Sequence, residues 1–171
     1  YATTFLPYDF TLDPRFNVKA YKVTHAEGGV AKTMQVEDIA AEEGVILVGD
    51  TKEDNFLLLI PGTATSDFSD NILSGTTTRL PITEEEKTTL FVLGNGINGI
   101  GFYNPSSTTL KENRAFLTVD AVTGEATNGL RLEFGGETTG ITATETLNNA
   151  NAPIYDLSGR RVANPVKGIY V

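Results

Sequence analysis

The sequence predicts an all-β protein: an antiparallel β-sandwich followed by a tether and a C-terminal β-hairpin. Three observations carry this. Short stretches rich in β-branched and aromatic residues recur between Gly, Asn, Asp and Pro. Several of them alternate apolar and polar residues, as a half-buried strand does. Helical periodicity is almost absent.

Taken in order, "VKAYKVT" (Val18–Thr24) alternates and reads as a strand. "TMQVEDIAAEEG" (Thr33–Gly44) fits either a short helix or a strand and loop. "GVILVGD" (Gly44–Asp50), "NFLLLIPG" (Asn55–Gly62), "TTLFVLG" (Thr88–Gly94), "GIGFYN" (Gly99–Asn104) and "RAFLTVD" (Arg114–Asp120) follow as strands. In "GLRLEFGG" (Gly129–Gly136), Leu130, Leu132 and Phe134 share one face, and Arg131 and Glu133 the other. "NGINGIG" is a hairpin turn built from residues that accept positive φ. "PITEEEKT" places Thr83 and Glu86 at capping-box spacing with no apolar face behind them, which predicts a single helical turn.

An internal echo accompanies this pattern. "IAAEEGVIL" (Ile39–Leu47) aligns without gaps on "LKENRAFLT" (Leu110–Thr118), and each follows an aromatic strand, "AYKV" or "GFYN". Two similar hairpin units packed on each other are the expectation. The sandwich is assigned to residues 1–136. Residues 137–153, Thr-, Asn- and Ala-rich with little to bury, form a linker. Residues 154–171 form a hairpin tail expected to dock on the sandwich, because a lone hairpin is marginal in water.

The chain has 171 residues, enough for one full core. Its formal charge of −9 repels phosphate backbones and argues against a nucleic-acid partner. The longest apolar run, "FLLLI", is strand-sized and predicts no transmembrane segment. There is no Cys, hence no disulfide, thiolate nucleophile or Cys-based zinc site. The first residue is Tyr1 and the last, Val171, falls in mid-pattern, so a piece of a longer precursor is expected.

No residue pattern calls for catalysis. The single histidine, His25, sits at a strand end before "AEGG" and reads as a surface residue, and no GxSxG elbow is present. Glu42, Glu43, Glu84, Glu85, Glu86 and Glu133 offer carboxylates for glycoside hydrolysis. They lie in polar runs or on an outer face, without the apolar cleft that raises a catalytic acid's pKa. No cofactor is expected. Calcium is the one metal whose ligand types gather, as Asp50, Glu53 and Asp54 in one acidic turn and Asp67 and Asp70 in another, although acidic turns are more often solvated loops. A glycan platform would fall on Phe102, Tyr103 and Asn104, one ring facing out. Tyr8, Phe10 and Tyr21 read as core. "GNGINGIG" lacks the Lys-Ser/Thr of a phosphate loop.

The tail carries the most specific signal. In "IYDLSGRRVANPVKGIYV", Gly159 stands at the turn and Arg160 and Arg161 open the return strand. This stretch resembles the C-terminal tail of many secreted and surface proteins of Bacteroidetes, notably Prevotella and Bacteroides, and is similar to type IX secretion (Por-type) sorting tails. The matching positions are Tyr155, Asp156, Leu157, Gly159, Arg160, Arg161 and Gly168. Upstream, "YATTFLPYDFTL", "GVILVG", "FVLGNGINGIGFY" and "LKENRAFL" resemble, in order, blocks of the β domain that precedes such tails. Lys111-Glu112 stands where that domain has Pro-Ala, and the lysine-rich end is missing.

The resemblance implies a non-catalytic module serving display, anchoring or export of a larger protein at the outer cell surface. Its partners would be the N-terminal remainder of that protein and the secretion machinery or a surface glycan. A carbohydrate- or host-binding adhesin is the alternative, and assembly by strand donation would require an uncovered edge strand.

Overall fold

The computed structural model describes residues 1–49, 59–124 and 129–135, together with the backbone of Ile154–Tyr155 and Arg161–Val162. The chain divides into two compact units, Tyr1–Glu137 and Thr138–Val171. The strands are β1 (Ala2–Phe5), β2 (Phe10–Leu12), β3 (Lys19–Glu27), β4 (Val30–Val36), β5 (Asp38–Ile39), β6 (Gly44–Val48), β7 (Leu59–Pro61), β8 (Ser74–Thr76) and β9 (Leu80–Pro81). The helical turn α1 (Glu86–Thr89) precedes β10 (Leu90–Gly96), β11 (Gly99–Tyr103), β12 (Thr109–Leu110), β13 (Arg114–Thr118) and β14 (Leu130–Gly135). In the second unit, β15 (Ile154–Tyr155) and β16 (Arg161–Val162) pair antiparallel, Tyr155 opposite Arg161. The linker 137–153 and the other tail positions, Asp156, Leu157, Gly159, Arg160 and Gly168, lie outside the described residues.

The protein is all-β, as its sequence predicts. Its layering differs from two facing sheets. One nine-stranded sheet, ordered β1-β6-β3-β4-β14-β11-β10-β13-β8, curls until its two edges meet. At that seam Arg114 Nη1 donates to the Thr3 carbonyl at 2.9 Å and the Ala115 amide to Thr3 Oγ1 at 3.3 Å. Side chains thus tie the edges, and both lie against other parts of the protein. Small sheets, β5-β2-β7 and β12-β9, flank the large one. The pairing is antiparallel except for β14, which runs parallel to β4. "TMQVEDIAAEEG" resolves as the end of β4, then β5 and a turn, with no helix. One core cluster gathers Tyr21, Val23, Ile46, Phe91, Phe102, Leu117 and Leu130. A second gathers Phe10, Ala20, Val36, Ile39, Val45, Leu47 and Phe68.

The internal echo is a structural repeat. β1 to β6 and β8 to β13 share connectivity and register. Phe5 pairs with Gly44 as Gly75 pairs with Ala115, Phe10 with Ile39 as Leu80 with Leu110, and Tyr21 with Ile46 as Phe91 with Leu117. The two non-glycine residues with positive φ, Glu42 at 60° and Asn113 at 56°, fall at one position of the repeat. Equivalent positions also meet across the seam. A Cβ added to Gly44 would lie 2.8 Å from that of its counterpart Ala115, and one added to Gly75 would lie 2.0 Å from the ring of its counterpart Phe5. Such reciprocal contact is what an approximate two-fold axis produces. β14 stands at the centre of the strand order, between β4 of the first repeat and β11 of the second.

The predicted capping box is present. Glu86 Nα donates to Thr83 Oγ1 at 3.2 Å, and the Thr83 amide donates to Glu86 Oε2 at 2.7 Å. The Thr83 amide, and after it the Thr83 side chain, hold the Glu86 carboxyl below the usual carboxylate range. Thr83→Ala is expected to cost about 1 kcal/mol, the usual worth of an N-cap, read by urea unfolding. A cost indistinguishable from zero would mean that the turn is held by Asn104 alone, whose Nδ2 donates to the carbonyls of Lys87 and Leu90 at 2.9 and 3.0 Å.

Candidate functional site

The residues assigned by sequence to a glycan platform are engaged in the fold. Phe102 is fully buried, opposite Leu93 on β10 and Leu130 on β14, and presents no surface to a ligand. Tyr103 is half-buried. Its ring packs against Gly96 and Gly129, where an added Cβ would come within 2.5 and 2.4 Å, and its hydroxyl donates to the Gly99 carbonyl at 2.9 Å. The Asn104 amide spans the end of α1 as described. Of the aromatics read as core, Phe10 and Tyr21 are buried, whereas Tyr8 is 46% exposed.

Asp67 and Asp70, one of the two calcium candidates, are turned onto a cation the protein supplies itself. Lys22, only 4% exposed, donates its ammonium to the Asp67 carbonyl and to Asp70 Oδ1 and lies 5.8 Å from the centre of the Phe68 ring. Asp67 Oδ1 accepts the Ser69 amide at 2.8 Å, and this bond lowers its pKa. The segment before β8 crosses Lys22 and buries it. Among the described residues no cluster of three metal-ligating side chains occurs. Asp50, Glu53 and Asp54 lie outside the described residues. Asp70→Ala, which strands a buried ammonium, is expected to cost about 2 kcal/mol more than Lys22→Met, which replaces it with a chain of similar volume. Equal unfolding free energies for the two variants would show that the pair carries no stability.

The remaining carboxylates do not converge. Glu43 Oε2 accepts from Asn71 Nδ2 at 2.8 Å, Glu84 pairs with Lys87 at 2.8 Å, and Glu133 pairs with Arg131 at 3.5 Å. Glu42 and Glu85 are exposed. His25 is exposed, with Nε2 3.1 Å from Glu27 Oε2. No described helix is long and apolar enough to cross a membrane.

The segment that buries Lys22 is itself fastened by carboxylates. Asp38 accepts the amide and hydroxyl of Thr65 at 2.9 and 2.7 Å and the amide of Ser66 at 2.7 Å. Hydrogen bonds from the Ser66 and Thr65 side chains, then the Thr65 amide, hold its pKa far below the model-peptide value of 3.8. Asp9 accepts the amides of Ala64 at 3.1 Å and Ala41 at 2.8 Å and is lowered by them. A carboxylate depressed in the folded state stabilises fully above its unfolded pKa and loses that stabilisation as the pH falls through its folded pKa. Stability is therefore expected to be flat above pH ~5 and to decline below ~4. Asp38→Asn is expected to reduce that decline; unfolding curves at pH 6 and 3 that shift equally in both proteins would contradict it.

Among the described residues the second repeat has no such cover. A cavity of about 500 Å³ opens there, lined by Val92, Pro105, Thr109, Leu110 and Phe116 and bordered by Tyr1. Sequence reasoning did not find it. The only signal was the echo, which ends before the covering segment. No protein family, no curated protein and no solved structure matches this chain.

Proposed function

We propose that this chain is a non-catalytic C-terminal module of a secreted or surface-displayed bacterial protein, serving display, anchoring or export of a larger polypeptide. The observation that carries this reading is the sequence "YDLSGRRV…KGIYV". Two features accompany it. Tyr155 pairs antiparallel with Arg161 at that motif, and Thr138–Val171 is one of the chain's two compact units. Removing Asn151–Val171 from the full-length protein in its native host should leave it inside the cell or absent from the surface. Unchanged export and unchanged surface level after that truncation would end the proposal. The adhesin alternative would rest on Tyr103, since Phe102 is buried and the Asn104 amide is committed to backbone carbonyls.

A further inference from the structure

The cavity in the second repeat corresponds to a filled site in the first. Phe68 shares a core cluster with Val36, Ile39 and Val45, and the Lys22 ammonium lies over its ring. Strand register assigns Val92 to Lys22, Leu110 to Ile39 and Phe116 to Val45, and continued two residues beyond the paired residues assigns Pro105 to Val36. All four counterparts line the cavity. Thr109, which also lines it, is the counterpart of Asp38, the residue that grips Thr65 and Ser66. Burial differs as the missing cover requires. Phe10 is 1% exposed, but its counterpart Leu80 is 40% exposed; Val45 is 0% exposed, but Phe116 is only half-buried. The flanking sheets differ too. β2 is paired on both sides, by β5 and β7, whereas its counterpart β9 has β12 alone.

The first repeat is covered by the polypeptide that leads into β8, the first strand of the next repeat. That polypeptide forms β7, crosses Lys22, inserts Phe68 and enters the seam, where the Ile72 amide donates to the Val23 carbonyl at 2.8 Å. The register that relates Phe5 to Gly75 relates Tyr1 to Asn71. Tyr1, Ala2 and Thr3 border the cavity beside Leu93, the counterpart of Val23. The chain ahead of Tyr1 is thereby aimed into the cavity as the chain ahead of Asn71 is aimed onto Phe68's site.

We infer that this cavity and the free edge of β9 receive an extended segment of the larger protein immediately ahead of Tyr1. That segment adds a short strand to β9 and inserts one apolar, preferably aromatic, side chain between Val92, Pro105, Leu110 and Phe116. Strand addition supplies main-chain hydrogen bonds, to which Pro81, facing the free edge where β2 has Thr11, contributes its carbonyl but no donor, and the inserted side chain supplies selectivity. The inference rests on the reading of this chain as part of a longer protein.

The test uses the segment whose fit is already visible. The sequence of Leu59–Asp70, LIPGTATSDFSD, is joined directly ahead of Tyr1, and melting temperatures are compared with and without it. A rise of about 4 °C or more is expected. Phe→Ala at the grafted copy of Phe68 should abolish it. Thr109→Asp, which restores the counterpart of Asp38, should enlarge the rise in the grafted protein and leave the ungrafted one unchanged. The natural residues ahead of Tyr1 should stabilise in the same way. No rise with either segment, or a rise that survives the Phe→Ala change, overturns the inference. Stabilisation by the free LIPGTATSDFSD peptide but not by the joined segment also overturns it, since the site would then serve a separate partner. None of these readings depends on residues 151–171, so failure here and failure of the export reading are separable.

Discussion

Phe102→Ala is expected to lower the unfolding free energy by about 3–5 kcal/mol, the range for a fully buried aromatic truncated to a methyl. The ring is 0% exposed and sits where β10, β11 and β14 meet, against Leu93 and Leu130. Those strands come from both sides of the junction between the second repeat and β14, so the space left by the ring cannot collapse by moving one element alone. Urea unfolding measures the loss. A cost below about 1 kcal/mol would place the ring at a wet surface and reopen the glycan platform.

Gly75→Ala is expected to cost about 2–3 kcal/mol, at the upper end for overpacking. Its Cβ would stand 2.0 and 2.1 Å from Cδ2 and Cγ of Phe5 and 2.6 Å from the Phe5 Cβ. Those atoms are the root of the side chain, so no rotation about its far end relieves the clash. The repeat supplies a sharper test. Phe5 and Gly75 are equivalent positions that touch each other, so exchanging them, Phe5→Gly with Gly75→Phe, puts one ring and one glycine back at the seam. The double variant should recover at least half of the combined loss of the two single variants, a strong departure from additivity. Additive losses would show that the seam lacks the two-fold relation.

The strands were legible where local chemistry decides them. "FVLGNGINGIGFY" becomes the β10–β11 hairpin because Gly and Asn close its turn. The Thr83–Glu86 box formed as spaced. In "LRLEF" the alternation holds for buried Leu130 and exposed Arg131 and Glu133. It fails at Phe134, 42% exposed at the end of its strand, where the ring still meets Tyr21 edge-on at 4.8 Å. What could not be read depends on residues far apart in the chain. Nothing near Lys22 in the chain says that its ammonium is taken by the distant Asp67–Asp70 turn. Alternation says that one of Phe102 and Tyr103 faces inward without saying which, since that is fixed by core residues distant in the chain such as Tyr21 and Ile46. Two facing sheets and one curled sheet share the same strand pattern. The seam at Gly75 and the parallel pairing of β14 with β4 select the curl.

The position of β14 has a consequence for how the protein is made. The last strand of the large sheet is the one that joins its halves, bonding residues 30–34 on one side and 101–102 on the other. Until residues 130–135 leave the ribosome, the strand that bridges β4 and β11 is missing and the sheet is open along its middle. Contacts so distant in sequence form slowly. A nascent chain built this way keeps β4 and β11 as open edges until both repeats and residues 130–135 have been made.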